Sequence, residues 1–317
     1  MQVNTIHVGH VIDILRKFPA ESIDMCITSP PYWGTRNYNT EPVIWDGTPH
    51  CEHDFYPDIN GGSFCSNCGA WRGQLGQEPT LKLYVKHIVS VMDEVKRVLK
   101  DEGTCWLNLG DTYASGEVGR HDKNYGGEFD RPKWKGIKRK HATLDTGVPL
   151  GSITNMPSRV AIEMTDNHGW IERNAIIWHK PNAMPDGAKN RFTMDYEILY
   201  FFVKNNKYYI ERILEPSSEY KRSPLTAKVK MRNKRSVWSL PVQAFSQAHF
   251  AIFPEKLIET PMKAGCPPNG LVLDPFIGSG TVGVVAKKLS RNFIGIDLNK
   301  DYAQMAEERI SSTKIAG

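Results

Sequence analysis

Apolar residues recur along this chain at two spacings, one typical of helices and the other of strands. From Leu81 to Lys100 they recur every three or four residues and predict a helix, with Gly103 just after its end. Short apolar runs bounded by turn residues predict buried strands. The predicted strands span 2–8, 22–28, 104–109, 170–178, 195–204, 271–274 and 292–297, and the other predicted helices span 11–18, 158–168, 254–264, 281–290 and 301–312.

The order of these elements predicts the fold class. Strands that alternate with helices indicate an α/β fold with a mostly parallel, doubly wound sheet. The glycine-rich turn that commonly opens such folds comes near the carboxyl end here, and only one helix follows the strand at 292–297. Residues 2–8 can supply the missing strand. We therefore predict a circularly permuted Rossmann-like fold with insertions, whose termini lie close together.

Composition and charge narrow the class of protein. The 317 residues are 40% hydrophobic and 24% charged, which is ordinary for a globular enzyme. We find no membrane-spanning run and no signal peptide, so we expect a cytoplasmic protein. The net charge is +5, yet residues 131–141 hold six Lys or Arg and residues 221–235 hold seven, without any acid. Such stretches are either phosphate-contacting loops or merely solvated ones.

A cluster of soft ligands predicts a metal site. Cys65 and Cys68 form a Cys-x-x-Cys pair followed by Gly, and Cys51 and His53 form a second pair upstream, with His50 as a near substitute for His53. Four such ligands are typical of a closed, structural zinc site, which would hold together an insert poor in apolar residues. The alternative is a disordered insert with incidental thiols.

The segment 271–289 predicts a ligand-binding turn. It runs from a strand through Gly278, Gly280 and Gly283 into a helix, and Asp297 ends the next strand. This arrangement is typical of adenosyl-ligand sites, in which the acid binds ribose hydroxyls. A nicotinamide dinucleotide and S-adenosylmethionine both fit the pattern. Asp274 would repel a pyrophosphate but pair with a methionine ammonium, which favours S-adenosylmethionine.

The segment TSPPYW predicts a pocket for a flat group. Pro30 and Pro31 restrict the backbone, so that the Ser29 hydroxyl and the Pro30 carbonyl are held as hydrogen-bond acceptors. Both can accept hydrogen bonds from a group held in that pocket. Tyr32 offers a stacking face to a flat group, and Trp33 could extend that wall. The alternative is a proline turn with core aromatics.

Together these motifs resemble the amino-group DNA methyltransferases of the permuted (beta) class, of the N4-cytosine/N6-adenine type. The resemblance rests on TSPPYW at 28–33, WHKPNAMP and RFTMDYEILYFF within 178–202, AHFAIFPEKLIE at 248–259, DPFIGSGT at 274–281 and NFIGIDLNKDY at 292–302. It covers nearly the whole chain. It implies a Rossmann-like S-adenosylmethionine-dependent methyltransferase fold in which the catalytic motif precedes the cofactor motif.

The resemblance also implies roles for individual residues. Ser29 and the Pro30 carbonyl are expected to accept from the exocyclic amine of a base swung out of a duplex, raising its electron density while it attacks a methyl group. Tyr32 is expected to stack on that base, with Trp33 extending the wall.

The cofactor contacts are implied in the same way. Those expected at the methionine end of the cofactor are Asp274, Phe276, Gly278, Gly280 and Thr281. Asp297 is expected at the ribose. The motif that folds over the cofactor contributes His249, Phe250, Pro254 and Lys256. The family often has an Asp after the Gly of the first strand–helix turn, whereas this chain has Gly9 and His10, so the adenine contact stays open.

The resemblance implies site-specific methylation of double-stranded DNA by a bacterial or phage-type protein, with a cognate restriction endonuclease as a potential partner. Ser at the first motif position is commoner among N4-cytosine enzymes, and Asp or Asn among N6-adenine enzymes. We therefore favour cytosine, although a Ser hydroxyl can accept from either amine. More remote alternatives are a nicotinamide-dependent oxidoreductase, a zinc-braced DNA-binding protein without activity, and a methyltransferase for RNA or a protein amide.

The predicted organisation follows from these assignments. It comprises a catalytic half at 1–113 with a zinc-binding insertion at 51–80, a mobile DNA-facing loop at 114–157, the rest of the catalytic half at 158–204, a target-recognition region at 205–247 and a cofactor-binding half at 248–317. The predicted DNA contacts are Trp33, Lys133, Lys135, Lys221, Arg222, Lys228, Lys230, Arg232, Lys234 and Arg235.

Overall fold

The computed structural model describes residues 2–34, 37–38, 40–57, 62–114, 146–217, 231–242 and 253–314. The chain divides into two compact units. The first unit comprises Met1–Pro30, Val91–Gly110 and Ala161–Gly317, and the second comprises Pro31–Ser90 and Asp111–Val160. None of the helices in the described part of the chain has the length and apolar character that a membrane crossing needs.

The secondary-structure elements alternate along the chain much as the apolar pattern predicts. The strands are β1 (Thr5–Val8), β2 (Ile23–Thr28), β3 (Val43–Trp45), β4 (Phe55–Pro57), β5 (Ser63–Cys65), β6 (Trp71–Gly73), β7 (Leu99–Leu109), β8 (Ile171–His179), β9 (Tyr196–Val203), β10 (Leu214–Pro216), β11 (Met231–Asn233), β12 (Val237–Ser239), β13 (Leu271–Asp274) and β14 (Asn292–Asp297). The helices are α1 (Val11–Leu15), α2 (Leu81–Val98), α3 (Met156–Asp166), α4 (Glu255–Gly265), α5 (Thr281–Lys288) and α6 (Lys300–Ser312).

An eight-stranded sheet forms the centre of the first unit, in the order β1-β14-β13-β2-β7-β9-β8-β12. All neighbours pair in parallel except β9, which runs antiparallel to both β7 and β8. Thr5–Val8 pairs with Ile294–Asp297, so the first strand of the chain completes the unit that the last strand begins. The predictions of a mostly parallel sheet and of a circular permutation are confirmed.

Apolar side chains from both halves of the sequence form the core of this unit. The core includes Met25 and Ile27 of β2, Val272 of β13 and Phe201 of β9, all at most 5% exposed. The Trp106 ring of β7 stacks on the Phe201 ring, with centroids 4.1 Å apart and planes 5° from parallel. Burial of this apolar surface holds the strand ends, and the polar residues that follow them, in fixed positions.

Three predictions about elements need correction. Helix α2 ends at Val98 rather than near residue 100, because β7 begins at Leu99, which pairs with Ile23 of β2. Gly103 therefore lies inside a strand, where a Cβ would approach Leu99 Cγ to 2.6 Å. The stretch 205–247, predicted to be irregular, contains β10, β11 and β12. Each of these strands has only three residues, too few to show an alternating pattern.

The second unit contains a small antiparallel sheet in the order β3-β6-β5-β4, together with the first part of α2 and a segment around the start of α3. Trp45 of β3 and Trp71 of β6 are at most 3% exposed. Their rings lie on His87 of α2, with ring centroids 4.8 and 5.5 Å away. The sheet therefore packs on α2 through two indoles and one imidazole.

Candidate functional site

The carboxyl ends of three neighbouring parallel strands bring polar residues together in the first unit. Asp297 ends β14, Asp274 ends β13 and Thr28 ends β2, and these strands are adjacent in the sheet. Ligands of open α/β folds bind at this edge, because the loops that leave the strands and the helix N-termini converge there.

The glycine turn between β13 and α5 has a backbone that side chains would disturb. Gly278 has φ +50° and Gly280 has φ +83°, which favour glycine. A Cβ on Gly280 would lie 2.9 Å from Ala306 Cβ, whereas one on Gly278 would meet nothing closer than 3.9 Å. Gly280 thus permits close packing on α6, while Gly278 keeps open the space that a ligand could fill.

Arg309 of α6 braces the same turn, a role that sequence reasoning missed. Its guanidinium donates to the Ser279 carbonyl at 3.1 Å and to Thr281 Oγ1 at 3.0 Å. Thr281 begins α5 and is 4% exposed. The sequence does not predict this contact, because an Arg on the polar face of a helix usually points into solvent.

Asp274 is a buried acid at the foot of the turn. Its Oδ1 accepts hydrogen bonds from the Thr28 hydroxyl at 2.6 Å and from the Phe276 N–H at 3.0 Å. Burial nevertheless raises the pKa of this carboxyl to about 7. A carboxylate that is hard to ionise when the site holds no ligand suits a positively charged ligand group, which would supply the missing counter-charge. It disfavours a pyrophosphate.

Asp297 is half-buried at the end of β14. Its carboxylate accepts from the backbone N–H groups of Gly278 at 3.0 Å and Asn299 at 2.8 Å, while burial raises its pKa to about 6. Its backbone carbonyl accepts from the Gly9 N–H at 2.9 Å, which brings the first strand–helix turn beside it. His10 follows in that turn, and its Nδ1 lies 3.3 Å from Asp13 Oδ2.

The TSPPYW segment leaves the end of β2. The half-buried Ser29 and the buried Pro30 belong to the first unit and follow Thr28, the residue bonded to Asp274. Pro31 and Tyr32 are half-buried residues of the second unit. There the Tyr84 hydroxyl donates to the Pro31 carbonyl at 2.8 Å, which fixes the start of that segment.

Trp33 does not lie where the sequence suggested. We expected it to extend a stacking wall for a base, but it is 1% exposed. Its indole N–H donates to the Glu78 carbonyl at 2.9 Å. A base cannot stack on an enclosed ring, so Trp33 is a core residue in this conformation, and the expected DNA contact is wrong here.

A buried ionic cluster supports this part of the second unit. His87 Nδ1 lies 2.9 Å from Glu78 Oε1, and His87 Nε2 lies 3.2 Å from Asp46 Oδ2. Burial alone would lower the pKa of His87, but its hydrogen bonds to the two carboxylates raise it. The hydrogen bond to His87 lowers the pKa of Asp46 to about 2. His87 is therefore a buried imidazole held between two acids and two indoles.

A polar network at the end of β7 also went unpredicted. Asn108 is fully buried, and its Nδ2 donates to Glu197 Oε2 at 2.6 Å. Lys180 forms an ion pair with the other oxygen of Glu197 and lies 4.6 Å above the Trp178 ring. Leu107 pairs with Thr28, so Asn108 and Ser29 each directly follow a residue of that pair. The sequence feature that could have indicated this network is Glu197, a charged residue near the start of the otherwise apolar β9.

The motif expected to fold over the cofactor is only partly described. Pro254 is buried and precedes the first residue of α4, and Lys256 is exposed in the first turn of that helix. His249 and Phe250 lie outside the described residues. Their roles remain predictions.

Only some of the predicted DNA contacts lie within the described residues. Lys133, Lys135, Lys221, Arg222, Lys228 and Lys230 lie outside the described residues. Arg232 and Arg235 both donate to Glu215 of β10, at 3.0 and 2.8 Å, so one acid offsets part of their charge. Lys234 lies 5.3 Å above the Trp238 ring. The side chain of Arg235 is 67% exposed and stays accessible to a phosphate.

The predicted metal ligands come together in the second unit. The ligand atoms of Cys51, His53, Cys65 and Cys68 all lie within 4.8 Å of one another. All four belong to the small sheet or to the loops beside it. Burial would raise the pKa of the Cys65 thiol, but hydrogen bonds from His53 and from nearby backbone N–H groups lower it to about 6. The thiolate is the form that binds metals.

Comparison with known proteins assigns the family. The family model described as DNA methylase, of the N6/N4 type, matches residues 23–308. The Type II methyltransferase M.SmaI of Serratia marcescens is 35% identical over 307 residues, which cover 96% of this chain and 90% of that protein. The Type II methyltransferase M.Cfr9I of Citrobacter freundii is 34% identical, with coverages of 96% and 87%. The chain belongs to the N6/N4 DNA methylase family.

Solved structures agree with this DNA methyltransferase in fold. The cytosine-N4-specific PvuII DNA methyltransferase superposes with a TM-score of 0.60 at 20% identity, covering 97% of this chain and 90% of that one. A Thermus thermophilus protein described as a DNA modification methylase, solved in complex with S-adenosyl-L-methionine, has a TM-score of 0.57 at 20% identity, with coverages of 97% and 93%. At these identities the likeness establishes the Rossmann-like methyltransferase fold of this chain.

Proposed function

We propose that this DNA methyltransferase transfers a methyl group from S-adenosylmethionine to the exocyclic amine of a flipped base, and that the base is cytosine, modified at N4. The observation that carries this proposal is the 2.6 Å hydrogen bond from the Thr28 hydroxyl to Asp274. It joins the residue before Ser29 to the acid of the glycine turn. Groups suited to a methyl acceptor and to a cationic donor therefore lie on neighbouring strand ends.

The residues of the glycine turn suit the donor. Asp274 has a raised pKa and would gain a counter-charge from a methionine ammonium group. Gly278 leaves room beside it, and Asp297 retains lone pairs that can accept from ribose hydroxyls. When bound, S-adenosylmethionine supplies a methyl group attached to a positively charged sulfur. The Thermus thermophilus protein that shares the fold was solved with this ligand.

Ser29 and Pro30 suit the acceptor. An exocyclic amine conjugated with its ring is a weak nucleophile, so it must be turned and held in line with the methyl group. The Ser29 hydroxyl and the Pro30 carbonyl can each accept one of its N–H groups, which localises the nitrogen lone pair as the new bond forms. Tyr32 would stack on the base.

Two observations support cytosine as the target base, and a third supports a restriction endonuclease as a partner. A neutral Ser stands first in the motif, and the PvuII enzyme that shares the fold is described as cytosine-N4-specific. The curated relatives are Type II methyltransferases, so we also propose that a restriction endonuclease of the same specificity accompanies this chain.

The test is methyl transfer from labelled S-adenosylmethionine to unmethylated DNA, followed by nucleoside mass spectrometry. We expect N4-methylcytosine, and modification-sensitive sequencing of DNA from expressing cells gives the recognition sequence. Ser29→Ala should lower kcat by about 100-fold or more while leaving the cofactor Kd unchanged. Ser22→Ala, just before the opposite end of β2, serves as the matched control. N6-methyladenine would overturn the choice of base, and a rise in Tm with a nicotinamide dinucleotide but not with S-adenosylmethionine would overturn the proposed chemistry.

A further inference from the structure

The proposed methyl transfer assigns no role to the Cys-His cluster of the second unit. We propose that Cys51, His53, Cys65 and Cys68 bind one structural zinc ion, and that the module closed by this ion supports the segment Pro31–Gly34. The proposal rests on the distances between ligand atoms, on the turn that presents them, and on the contacts between the small sheet and this segment.

Two of the distances between ligand atoms match the edges of a zinc tetrahedron, and all four ligand atoms lie within 4.8 Å of one another. With Zn–S bonds of about 2.3 Å and Zn–N bonds of about 2.0 Å, two sulfurs lie about 3.8 Å apart, and a sulfur and a nitrogen about 3.5 Å apart. In the structure, Cys51 Sγ lies 3.9 Å from Cys65 Sγ, and Cys68 Sγ lies 3.5 Å from His53 Nδ1. A disulfide would need about 2.05 Å. The thiols are therefore spaced for a shared ion.

The local backbone has the form of a metal-binding turn. The Cys65 N–H donates to the Ala70 carbonyl at 2.8 Å, and the Gly69 N–H donates to the Cys65 carbonyl at 2.9 Å. Gly69 has φ +74°, and a Cβ there would meet nothing within 4 Å, so glycine is favoured by conformation rather than by space. This turn holds Cys65 and Cys68 on the same side of the loop.

The composition of the module explains why it needs an ion. Its strands β3, β4, β5 and β6 have three residues each, and a sheet of such short strands is marginal without further support. Exposed Tyr56 shows that part of its apolar surface faces solvent. Four protein ligands leave zinc no open position, so the ion would stabilise the fold and take no part in catalysis.

The small sheet is connected to the segment Pro31–Gly34 through a chain of side-chain contacts. Trp45 of β3 and Trp71 of β6 enclose His87, which binds Glu78. Glu78 accepts the Trp33 indole N–H at its backbone carbonyl and the Gly76 N–H at its carboxylate, at 2.9 and 2.8 Å.

Gly76 completes the connection. Its carbonyl accepts the Gly34 N–H at 2.9 Å, and a Cβ on Gly76 would lie 3.0 Å from the Tyr32 carbonyl. The segment thus contacts a loop that Glu78, the His87 imidazole and the two indoles hold in place. Loss of the ion should loosen β3 and β6 first and then this loop.

Elemental mass spectrometry measures the metal content of the 317-residue chain after purification under reducing conditions. We expect about one zinc per chain, and cobalt substitution should give the strong visible absorption of a tetrahedral thiolate site. Cys65→Ser with Cys68→Ser should abolish both signals, and His53→Ala should weaken zinc retention. His50→Ala, a neighbouring histidine outside the cluster, should keep one zinc. Iron in place of zinc, or a reduced chain that binds neither zinc nor cobalt, would overturn the proposal.

A chelator applied to the wild-type chain tests the supporting role even if the cysteine variants fail to fold. This half of the inference rests on the proposed function. Zinc removal should lower kcat at least tenfold and leave the Kd for S-adenosylmethionine within about threefold, because the glycine turn belongs to the first unit, and added zinc should restore kcat. An unchanged kcat in the metal-free chain would refute the supporting role. Metal content is measured without DNA, so this test of the zinc site does not depend on whether the chain transfers methyl groups.

Discussion

The buried carboxyl of Asp274 makes a specific prediction about stability and binding. Asp274→Asn keeps an oxygen that can accept from the Thr28 hydroxyl and the Phe276 N–H, but it removes the charge. Without cofactor, the wild-type chain must hold a nearly enclosed carboxylate, 3% exposed, at alkaline pH. We therefore expect the variant to be more stable than the wild type at pH 8 and to bind S-adenosylmethionine more weakly.

The magnitude follows from the pKa of about 7 for this carboxyl, raised from 3.8 by burial. Between these two values the folded chain carries a proton at Asp274 that the unfolded chain has lost. Stability therefore falls as pH rises through this window, by about 1.4 kcal/mol per unit, and levels off above pH 7. Between pH 5 and pH 8, Asp274 should cost the wild type about 3 kcal/mol, a cost that Asp274→Asn lacks.

Urea unfolding at pH 5, 6.5 and 8 without cofactor measures this difference. The gap between variant and wild type should widen by about 3 kcal/mol from pH 5 to pH 8. An amide N–H that lacks a partner would lower the variant's stability by the same amount at every pH and would not change this widening. Asp166→Asn, at the exposed end of α3, is the matched control for loss of a surface carboxylate and should change stability by less than about 0.5 kcal/mol. Isothermal titration should show cofactor affinity reduced about 10-fold to 100-fold. A constant gap across pH, or an unchanged affinity, would refute the reasoning.

Three further predictions concern the turn, the polar network and the basic stretches. Gly280→Ala should destabilise the chain by about 1–3 kcal/mol in urea unfolding, because its backbone is left-handed and the new Cβ meets Ala306, whereas Gly187→Ala, with nothing within 4 Å, should be nearly neutral. Glu197→Gln should cost about 1–3 kcal/mol, since a partly buried Lys loses its charged partner, and an unchanged unfolding midpoint would contradict the ion pair. Neutralising the basic residues of 221–235 should flatten the salt dependence of the DNA Kd, and an unchanged slope would move the contact surface elsewhere.

Sequence reasoning succeeded where one element carries its own signal. The strand ending at Asp274, the strand ending at Asp297 and the permuted pairing of Thr5–Val8 all follow from apolar runs and their order. The cysteine cluster was also predictable, because Cys-x-x-Cys-Gly places two ligands in one turn before any tertiary structure is considered. These features are predictable because they depend on residues that are close together in the sequence.

Sequence reasoning failed where a residue's role depends on a partner far away. Trp33 appeared suited to stacking because it follows Tyr32, but a carbonyl 45 residues later accepts its indole N–H. Asn108 and Glu197 are 89 residues apart, and each alone is simply a polar residue in a strand. Only the order of strands in the sheet brings them together.

The hydrogen bond between Thr28 and Asp274 joins two motifs that the sequence places at opposite ends of the chain. These residues are 246 positions apart, yet their strands are neighbours in the sheet. In an unpermuted order the strand that ends at Asp274 would precede the strand that ends at Thr28, and the two could pair in the same way. Chain order can therefore change without loss of this hydrogen bond as long as β13 and β2 stay adjacent, because the bond requires only that the two strand ends be close and does not depend on the path of the chain between them.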